Sequence, residues 1–124
     1  MGLTQVKIVS VPVSDQDRAR DFYVNRLGLR VVRDDRMGPD QRWVELAVGD
    51  GSTSLTLVTW FDAMPPGSCQ GLVFTTSDLE QTVADMREQG VEFRRGIEDA
   101  PWGRQAVLDD PDGNGLVLLQ EVSA

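Results

Sequence analysis

The sequence predicts an α+β fold built from two tandem βαβββ modules, and three observations support this prediction. Short segments alternate apolar with polar residues and are separated by turn-forming residues, which is typical of strands. Two segments carry apolar residues at the i, i+3, i+4 spacing of an amphipathic helix. Landmarks of the first half, such as Ser14-Asp15 and Asp50-Gly51, recur 62 or 63 residues later as Ser77-Asp78 and Asp112-Gly113. A repeat of this length indicates duplicated supersecondary units.

The first module is predicted over residues 4–61 and opens with the strand Val6–Val13, in which Val9, Val11 and Val13 share one face and Ile8, Ser10 and Pro12 share the other. A helix begins at Ser14, with Asp17 three residues later in an arrangement like a capping box. Its inner face carries Ala19, Phe22 and Tyr23, and Gly28 is the expected C-terminal cap. Three further strands are predicted at residues 29–35, 42–48 and 54–60.

The second module is predicted over residues 71–122, after a Pro- and Gly-rich connection at 62–70. A strand at 71–76 leads to a helix that begins at Ser77-Asp78 and ends at Gly90. Strands follow at 91–95, 104–110 and 115–122, and residues 96–103 are predicted to form a loop. We expect residues 1–124 to form a single domain in which each module's helix covers one face of its strands. The bare faces of the two modules would then line a common cleft.

Composition excludes several functional classes. The chain has a net charge of −8, which would repel phosphate backbones, so nucleic-acid binding is not expected. No apolar run approaches the length of a membrane span, and no signal peptide is visible, so a cytoplasmic protein without a membrane partner is predicted. The single cysteine, Cys69, suits a reducing compartment. The chain contains no histidine, which excludes Ser-His-Asp and Cys-His catalysis and the commonest transition-metal ligand.

One stretch near the C-terminus, "DDPDGNGLVLLQE", matches the calcium-loop pattern D-x-[DN]-x-[DN]-G-x5-E. Asp110, Asp112 and Asn114 would be the first ligands, and Glu121 the closing one. Such loops join two helices, whereas this stretch joins two predicted strands. The repeat also pairs Asp112-Gly113 with the turn at Asp50-Gly51. A β-turn is therefore expected here rather than a calcium site.

The segment "VPVSDQDRARDFYVNRLGLRVV" resembles the opening of vicinal-oxygen-chelate proteins, the superfamily of glyoxalase I, bleomycin-resistance proteins and extradiol dioxygenases. The ending "DDPDGNGLVLLQ" resembles their final turn and strand. The resemblance implies two βαβββ modules that form a cup-shaped mixed sheet. It also implies a divalent metal in the cup of the enzymes. The corresponding ligand positions are here Ile8, Thr56 (or Leu55 after a one-residue shift), Leu72 and Val117. None of these residue types is an ordinary metal ligand, so neither metal nor cofactor is expected.

Strand alternation predicts which side chains line the cup. The lining should be apolar with aromatic walls and a few polar groups, the make-up of a small-molecule pocket. Glu45 is a candidate ligand-binding residue or general base, whereas Tyr23 and Cys69 are expected to have no catalytic role. No catalytic residue is therefore assigned. The predicted ligand-binding residues are Ser10, Trp43, Glu45, Thr56, Trp60, Phe74, Trp102 and Gln105.

Three functions remain open from the sequence. The first is a metal-free protein that sequesters a small hydrophobic or aromatic compound, as resistance proteins of the family do, and the resemblance then implies a homodimer. The second is a superfamily enzyme, lyase- or dioxygenase-like, acting on a small carbonyl or phenolic substrate with Glu45 as base. The third is a structural member whose pocket has closed. Whether one chain forms the cup or two chains exchange modules also remains open, because the connection at Pro65-Pro66-Gly67 permits either.

Overall fold

A computed structural model of the chain describes residues 2–122. These residues form two compact units, and the boundary between the units along the chain lies between Pro66 and Gly67. The first unit has the order strand, helix, strand, strand, strand. The helix continues into a π-helical turn. The elements are β1 (Ile8–Pro12), α1 (Gln16–Asp21), the π-helical turn (Phe22–Arg26), β2 (Arg30–Gly38), β3 (Gln41–Ala47) and β4 (Ser54–Val58).

The second unit repeats this order. Its elements are β5 (Leu72–Thr75), α2 (Leu79–Glu88), β6 (Phe93–Ala100), β7 (Gly103–Asp109) and β8 (Gly115–Glu121). None of the helices formed by residues 2–122 is both long and apolar enough to cross a membrane.

Each unit contains one four-stranded mixed sheet, and the two sheets have the same topology. The strand orders are β1-β4-β3-β2 and β5-β8-β7-β6. The first strand of each unit pairs in parallel with the last strand, and the other neighbours are antiparallel. The predicted α+β class and the two βαβββ modules are thereby confirmed.

One face of each sheet forms the apolar core of its unit. In the first unit, Val11, Val44 and Leu57 have no exposed surface, and the helical residues Ala19 and Tyr23 are likewise fully buried. In the second unit, Leu108 and Leu116 are fully buried, as is Leu79 of α2. Alternation along the strands places every second residue on this core face. The remaining residues lie on the other face, which carries the candidate site in the first unit.

The helix boundaries differ slightly from the prediction. Asp15, not Ser14, is the N-terminal cap of α1, and its carboxylate accepts a hydrogen bond from Arg18 N at 3.1 Å. The cap of α2 is Asp78, whose carboxylate accepts from Gln81 N. Gly28 and Gly90 follow the helical segments with φ of 85° and 86°. Both thus take the left-handed conformation that favours glycine after a helix, as predicted.

The predicted loop at residues 96–103 is largely a strand. β6 continues to Ala100 and pairs with β7 through Glu98–Gln105, Asp99–Arg104 and Ala100–Gly103. The register shifts twice between Phe93 and Glu98, and such irregularities disturb strict alternation. The sequence pattern therefore missed the strand.

An ion-pair network fixes α1 against the edge of the first sheet. Arg42 donates to both carboxylate oxygens of Asp34, at 2.8 and 2.9 Å, and also to Asp17 at 2.7 Å. Arg20 of α1 donates to Asp34 at 2.8 Å. The hydrogen bonds from Arg42 are the main cause of a lowered pKa of Asp34, against a smaller opposing effect of burial.

We expect Asp34→Asn to lower the free energy of unfolding at pH 7 by about 1.5–3 kcal/mol, because it removes charge-assisted hydrogen bonds. Since folding depresses the pKa of Asp34 below its ordinary 3.8, this stabilisation is complete above that value. It is lost as the pH falls through the folded-state pKa. Urea denaturation between pH 7 and pH 3 would measure both effects.

The matched control is Asp35→Asn on the same strand. The Asp35 side chain is 58% exposed and contacts Arg33 at 3.2 Å, whereas the Asp34 side chain is 18% exposed. Exposed ion pairs contribute about 0–1 kcal/mol, so the control should change stability little at any pH. Equal effects of the two substitutions would contradict a special role of Asp34.

Candidate functional site

A polar row crosses the first sheet on the face opposite the core. Ser10 on β1 is in register with Thr56 on β4, and Thr56 is in register with Glu45 on β3. The hydroxyl oxygens of Ser10 and Thr56 lie 3.3 Å apart. Directly paired residues of neighbouring strands project to the same face, so the three polar side chains lie side by side.

Aromatic rings flank this polar row. Trp43, two residues before Glu45 on β3, stacks with Trp60 at a centroid distance of 6.5 Å and an interplanar angle of 23°. Trp60 in turn contacts the tilted ring of Phe61 at 6.1 Å. We call the surface formed by Ser10, Trp43, Glu45, Thr56, Trp60 and Phe61 the tryptophan face. Five of these six residues were predicted as ligand-binding from strand alternation.

Phe61 was not predicted as part of the site. It follows β4 and lies outside the alternating pattern, and its side chain is 47% exposed. Its position directly after Trp60 was the one available signal. Adjacent aromatic residues at a strand end are good candidates for a shared aromatic surface.

The Glu45 carboxylate is tied to the aromatic group. Trp43 Nε1 donates a hydrogen bond to Glu45 Oε1 at 3.1 Å. Glu45 is only 8% exposed, although carboxylates are rarely buried without a partner. The contact holds the indole ring and the carboxylate in a fixed mutual orientation.

The remaining predicted site residues belong to the second unit. Trp102 Nε1 donates to Gln105 Oε1 at 3.0 Å, and Trp102 is 59% exposed. Gln105 is in register with Leu119, which pairs with Thr75 on β5, so these three share a face. The structure thus brings Trp102 and Gln105 together in one hydrogen-bonded pair.

The prediction that Phe74 faces the same side as Gln105 is wrong. Phe74 is in register with the buried Leu118, and Leu72 with the buried Leu116, so both lie on the core face. Thr76, which follows β5, contacts Thr82 of α2 through its hydroxyl at 2.8 Å. The residues of β5 on the face opposite the core are Thr75 and Val73, of which Val73 pairs with Val117 and is 51% exposed.

The residues at the expected metal positions do not fit a metal ion. With Val73 in place of Leu72, the four positions carry Ile8, Thr56, Val73 and Val117, none of which offers a carboxylate, thiolate or imidazole. Within residues 2–122 no three Asp, Glu or Cys side chains cluster as metal ligands would. The polar row supplies two hydroxyls and one carboxylate, a weak donor set for a divalent cation.

The stretch that matches the calcium-loop pattern forms a closed turn. Asp110 Oδ1 accepts from the backbone N–H groups of Asp112 and Asn114, both at 2.9 Å, and Oδ2 accepts from Asn114 Nδ2 at 2.7 Å. Asn114 Oδ1 accepts from Cys69 N at 3.0 Å. The two carboxylate oxygens of Asp110 and the amide oxygen of Asn114 are thus engaged in hydrogen bonds in and around the turn, which connects β7 to β8 as the repeat predicts.

Tyr23 and Cys69 offer no catalytic group. Tyr23 is fully buried, with its ring edge-to-face against Phe22 at 5.3 Å. Burial raises the pKa of the Cys69 thiol, and the nearby Asp110 charge adds to this effect. A raised pKa favours the thiol over the nucleophilic thiolate.

Comparison with known proteins identifies the family. Residues 5–118 match the Glyoxalase/Bleomycin resistance protein/Dioxygenase superfamily. The chain belongs to this superfamily, as the two βαβββ modules and the terminal motifs indicate. Membership defines the fold, and the reaction or ligand has to be argued from the site.

Three relatives cover nearly the whole chain. The antibiotic binding protein TnmS3 from Streptomyces sp. CB03234 has 44% sequence identity and a TM-score of 0.92, over 98% of this chain and 99% of its own. A glyoxalase/bleomycin resistance protein from the same strain has 45% identity and a TM-score of 0.85, over 94% and 100%. The uncharacterized protein YetH of Bacillus subtilis is 34% identical over 96% of this chain and 99% of its own.

Proposed function

We propose that the protein is a metal-free small-molecule binding protein that sequesters a flat aromatic compound on the tryptophan face without changing it. The observation that carries this proposal is the stacked pair Trp43–Trp60, extended by Phe61. Aromatic rings held in a stack offer a large, preorganised apolar surface to a planar ligand. The hydroxyl of Ser10, which lies 3.3 Å from that of the buried Thr56, would then orient a polar group of the ligand.

The relatives support a binding role. One structure with 44% identity is named an antibiotic binding protein, and another with 45% is named a glyoxalase/bleomycin resistance protein. The chemistry of the site points the same way, since the tryptophan face combines aromatic surface with few polar groups.

Titration with a panel of planar tricyclic compounds tests the proposal. We expect stoichiometric binding by calorimetry together with quenching of tryptophan fluorescence, because the ligand would lie against the indole rings. Mass spectrometry should recover the compound unchanged after long incubation. An aliphatic amphiphile of similar size serves as the control ligand. Conversion of the compound would favour the enzyme alternative, and failure of every planar compound to bind would contradict an aromatic site.

We also propose that the functional form is a homodimer. The second unit exposes apolar side chains away from its core, among them Val73 and Trp102. Light scattering coupled to gel filtration would measure the mass in solution, to be compared with 13.7 kDa for one chain. A mass of one chain at micromolar concentration would contradict this part of the proposal.

A further inference from the structure

Glu45 is a buried carboxylate without a positively charged partner in the part of the chain that the structure describes. It is 8% exposed, and the hydrogen bond recorded for it comes from the neutral indole N–H of Trp43. Removing a carboxylate from water costs several kcal/mol unless a charge or several hydrogen bonds compensate. A single neutral donor compensates only part of this cost.

The basic residue paired with Glu45 on the neighbouring strand contacts other groups. Arg33 on β2 is in register with Glu45, but its Nε contacts Asp35 at 3.2 Å and its Nη2 contacts the sulfur of Met37 at 3.9 Å. Across residues 2–122 the ion pairs of the first unit join arginines to Asp17, Asp34 and Asp35, not to Glu45.

One oxygen of Glu45 is available to a ligand. Oε1 holds Trp43 Nε1, whereas no residue between 2 and 122 is recorded as donating to Oε2. Within residues 2–122, Oε2 of Glu45 is not a fully enclosed polar atom. Oε2 therefore retains accessible surface and can accept a hydrogen bond from a bound molecule.

We infer that the ligand is a planar aromatic cation, in which a protonated nitrogen donates to Glu45 Oε2 while the ring system lies against Trp43 and Trp60. This inference rests on the proposed function and adds the charge of the ligand to it. Indole faces attract cations through their quadrupole, and a carboxylate at their edge supplies the counter-charge. The net charge of −8 further raises the local concentration of cations.

The experiment compares two probes of nearly equal shape at neutral pH: 9-aminoacridine, which is a cation, and acridine, which is neutral. Calorimetry would give the Kd of each for the wild-type chain and for Glu45→Gln. The glutamine keeps an oxygen that can accept from Trp43 but removes the charge. The control is Glu92→Gln, the same change at an exposed glutamate of the second unit. All three proteins would be measured at low and at high salt.

We expect wild type and Glu92→Gln to prefer the cation by about tenfold or more, as a charge-assisted hydrogen bond allows. In Glu45→Gln this preference should fall below about threefold. Because a buried pair is screened less than the overall charge, the preference should persist at high salt. Equal binding of both probes to wild type would overturn the inference but leave the proposed aromatic site intact. Loss of the preference for the cationic probe in Glu92→Gln as well as in Glu45→Gln would also overturn the inference. Binding of neither probe would contradict the proposed function itself.

Discussion

Replacing Trp43 by alanine is expected to weaken binding of a flat aromatic ligand by roughly 30-fold or more, the loss typical of a central aromatic anchor. Two contacts disappear together. The stack with Trp60 loses one of its two rings, and Glu45 Oε1 loses the indole N–H at 3.1 Å that orients the carboxylate. Calorimetric titration with the planar compound that binds wild type best would measure the loss.

Two companion variants separate these contacts. Trp43→Phe keeps an aromatic ring but removes the N–H donor, so we expect it to lose less affinity than Trp43→Ala. Trp60→Ala removes the opposite ring of the stack and its contact with Phe61, while the Trp43–Glu45 hydrogen bond can persist. Its affinity should fall by an amount similar to that of Trp43→Ala for neutral ligands.

The control for removing an aromatic side chain is Phe93→Ala. Phe93 lies in the second unit, is in register with the buried Leu108, and contacts the Arg87 guanidinium at 5.3 Å. It lies on the core face of its sheet, so its loss should lower the melting temperature without changing ligand affinity. Wild-type affinity in a folded Trp43→Ala variant would contradict the proposed site. Trp102→Ala would show separately whether the second unit contributes to binding.

Much of the fold was predictable because the sequence repeats its own boundary residues. Asp15 and Asp78 cap the two helices, and Gly28 and Gly90 end the helical segments in the left-handed conformation. The two aspartates supply the side-chain acceptor that the first turn of a helix needs, and the two glycines lack the side chain that disfavours a positive φ. The choice between Ser14 and Asp15 as cap was not predictable, since both residue types cap helices well and they are adjacent.

The site was predictable where alternation is strict and not where it fails. On β3 the apolar Val44 and Leu46 alternate with Trp43 and Glu45, so the faces were assigned correctly. On β5 the sequence Leu-Val-Phe is apolar on both faces, so hydrophobicity does not show which residues face the core. An error of one residue there moved Phe74 to the wrong face, because side chains alternate with a period of two.

The contacts that give the tryptophan face its chemistry depend on side-chain conformation. The sequence placed Trp43, Glu45 and Trp60 on one face, but the ring stacking and the hydrogen bond require particular rotamers. Rotamers are selected by the packing of neighbours on adjacent strands, which alternation does not describe. The rotamer of Arg33 likewise directs its guanidinium to Asp35 and leaves Glu45 without a counter-charge among the described residues.

Replacing Asp110 by alanine is expected to lower the free energy of unfolding by about 3–5 kcal/mol, a loss typical of a broken buried hydrogen-bond network. Asp110 is 5% exposed and Asn114 is fully buried. The substitution removes the acceptor of two backbone N–H groups and of the Asn114 amide. The Asn114 side chain thereby loses the contact that positions it, and its Oδ1 accepts a hydrogen bond from the backbone N–H of Cys69 shortly before β5. Urea denaturation monitored by circular dichroism would measure the loss.

Asp50→Ala is the matched control for this turn, since Asp50 occupies the corresponding turn of the first unit but is exposed. Its effect should stay within about 0.5 kcal/mol, as for most surface substitutions.

Calcium distinguishes the two interpretations of the Asp110–Glu121 stretch. A ligand that binds the folded state raises its stability with concentration. Because the Asp110 oxygens already accept hydrogen bonds within the turn, millimolar calcium should leave the melting temperature of wild type unchanged. A calcium-dependent rise that Asp110→Ala abolishes would instead show that these oxygens can exchange their N–H donors for a metal ion.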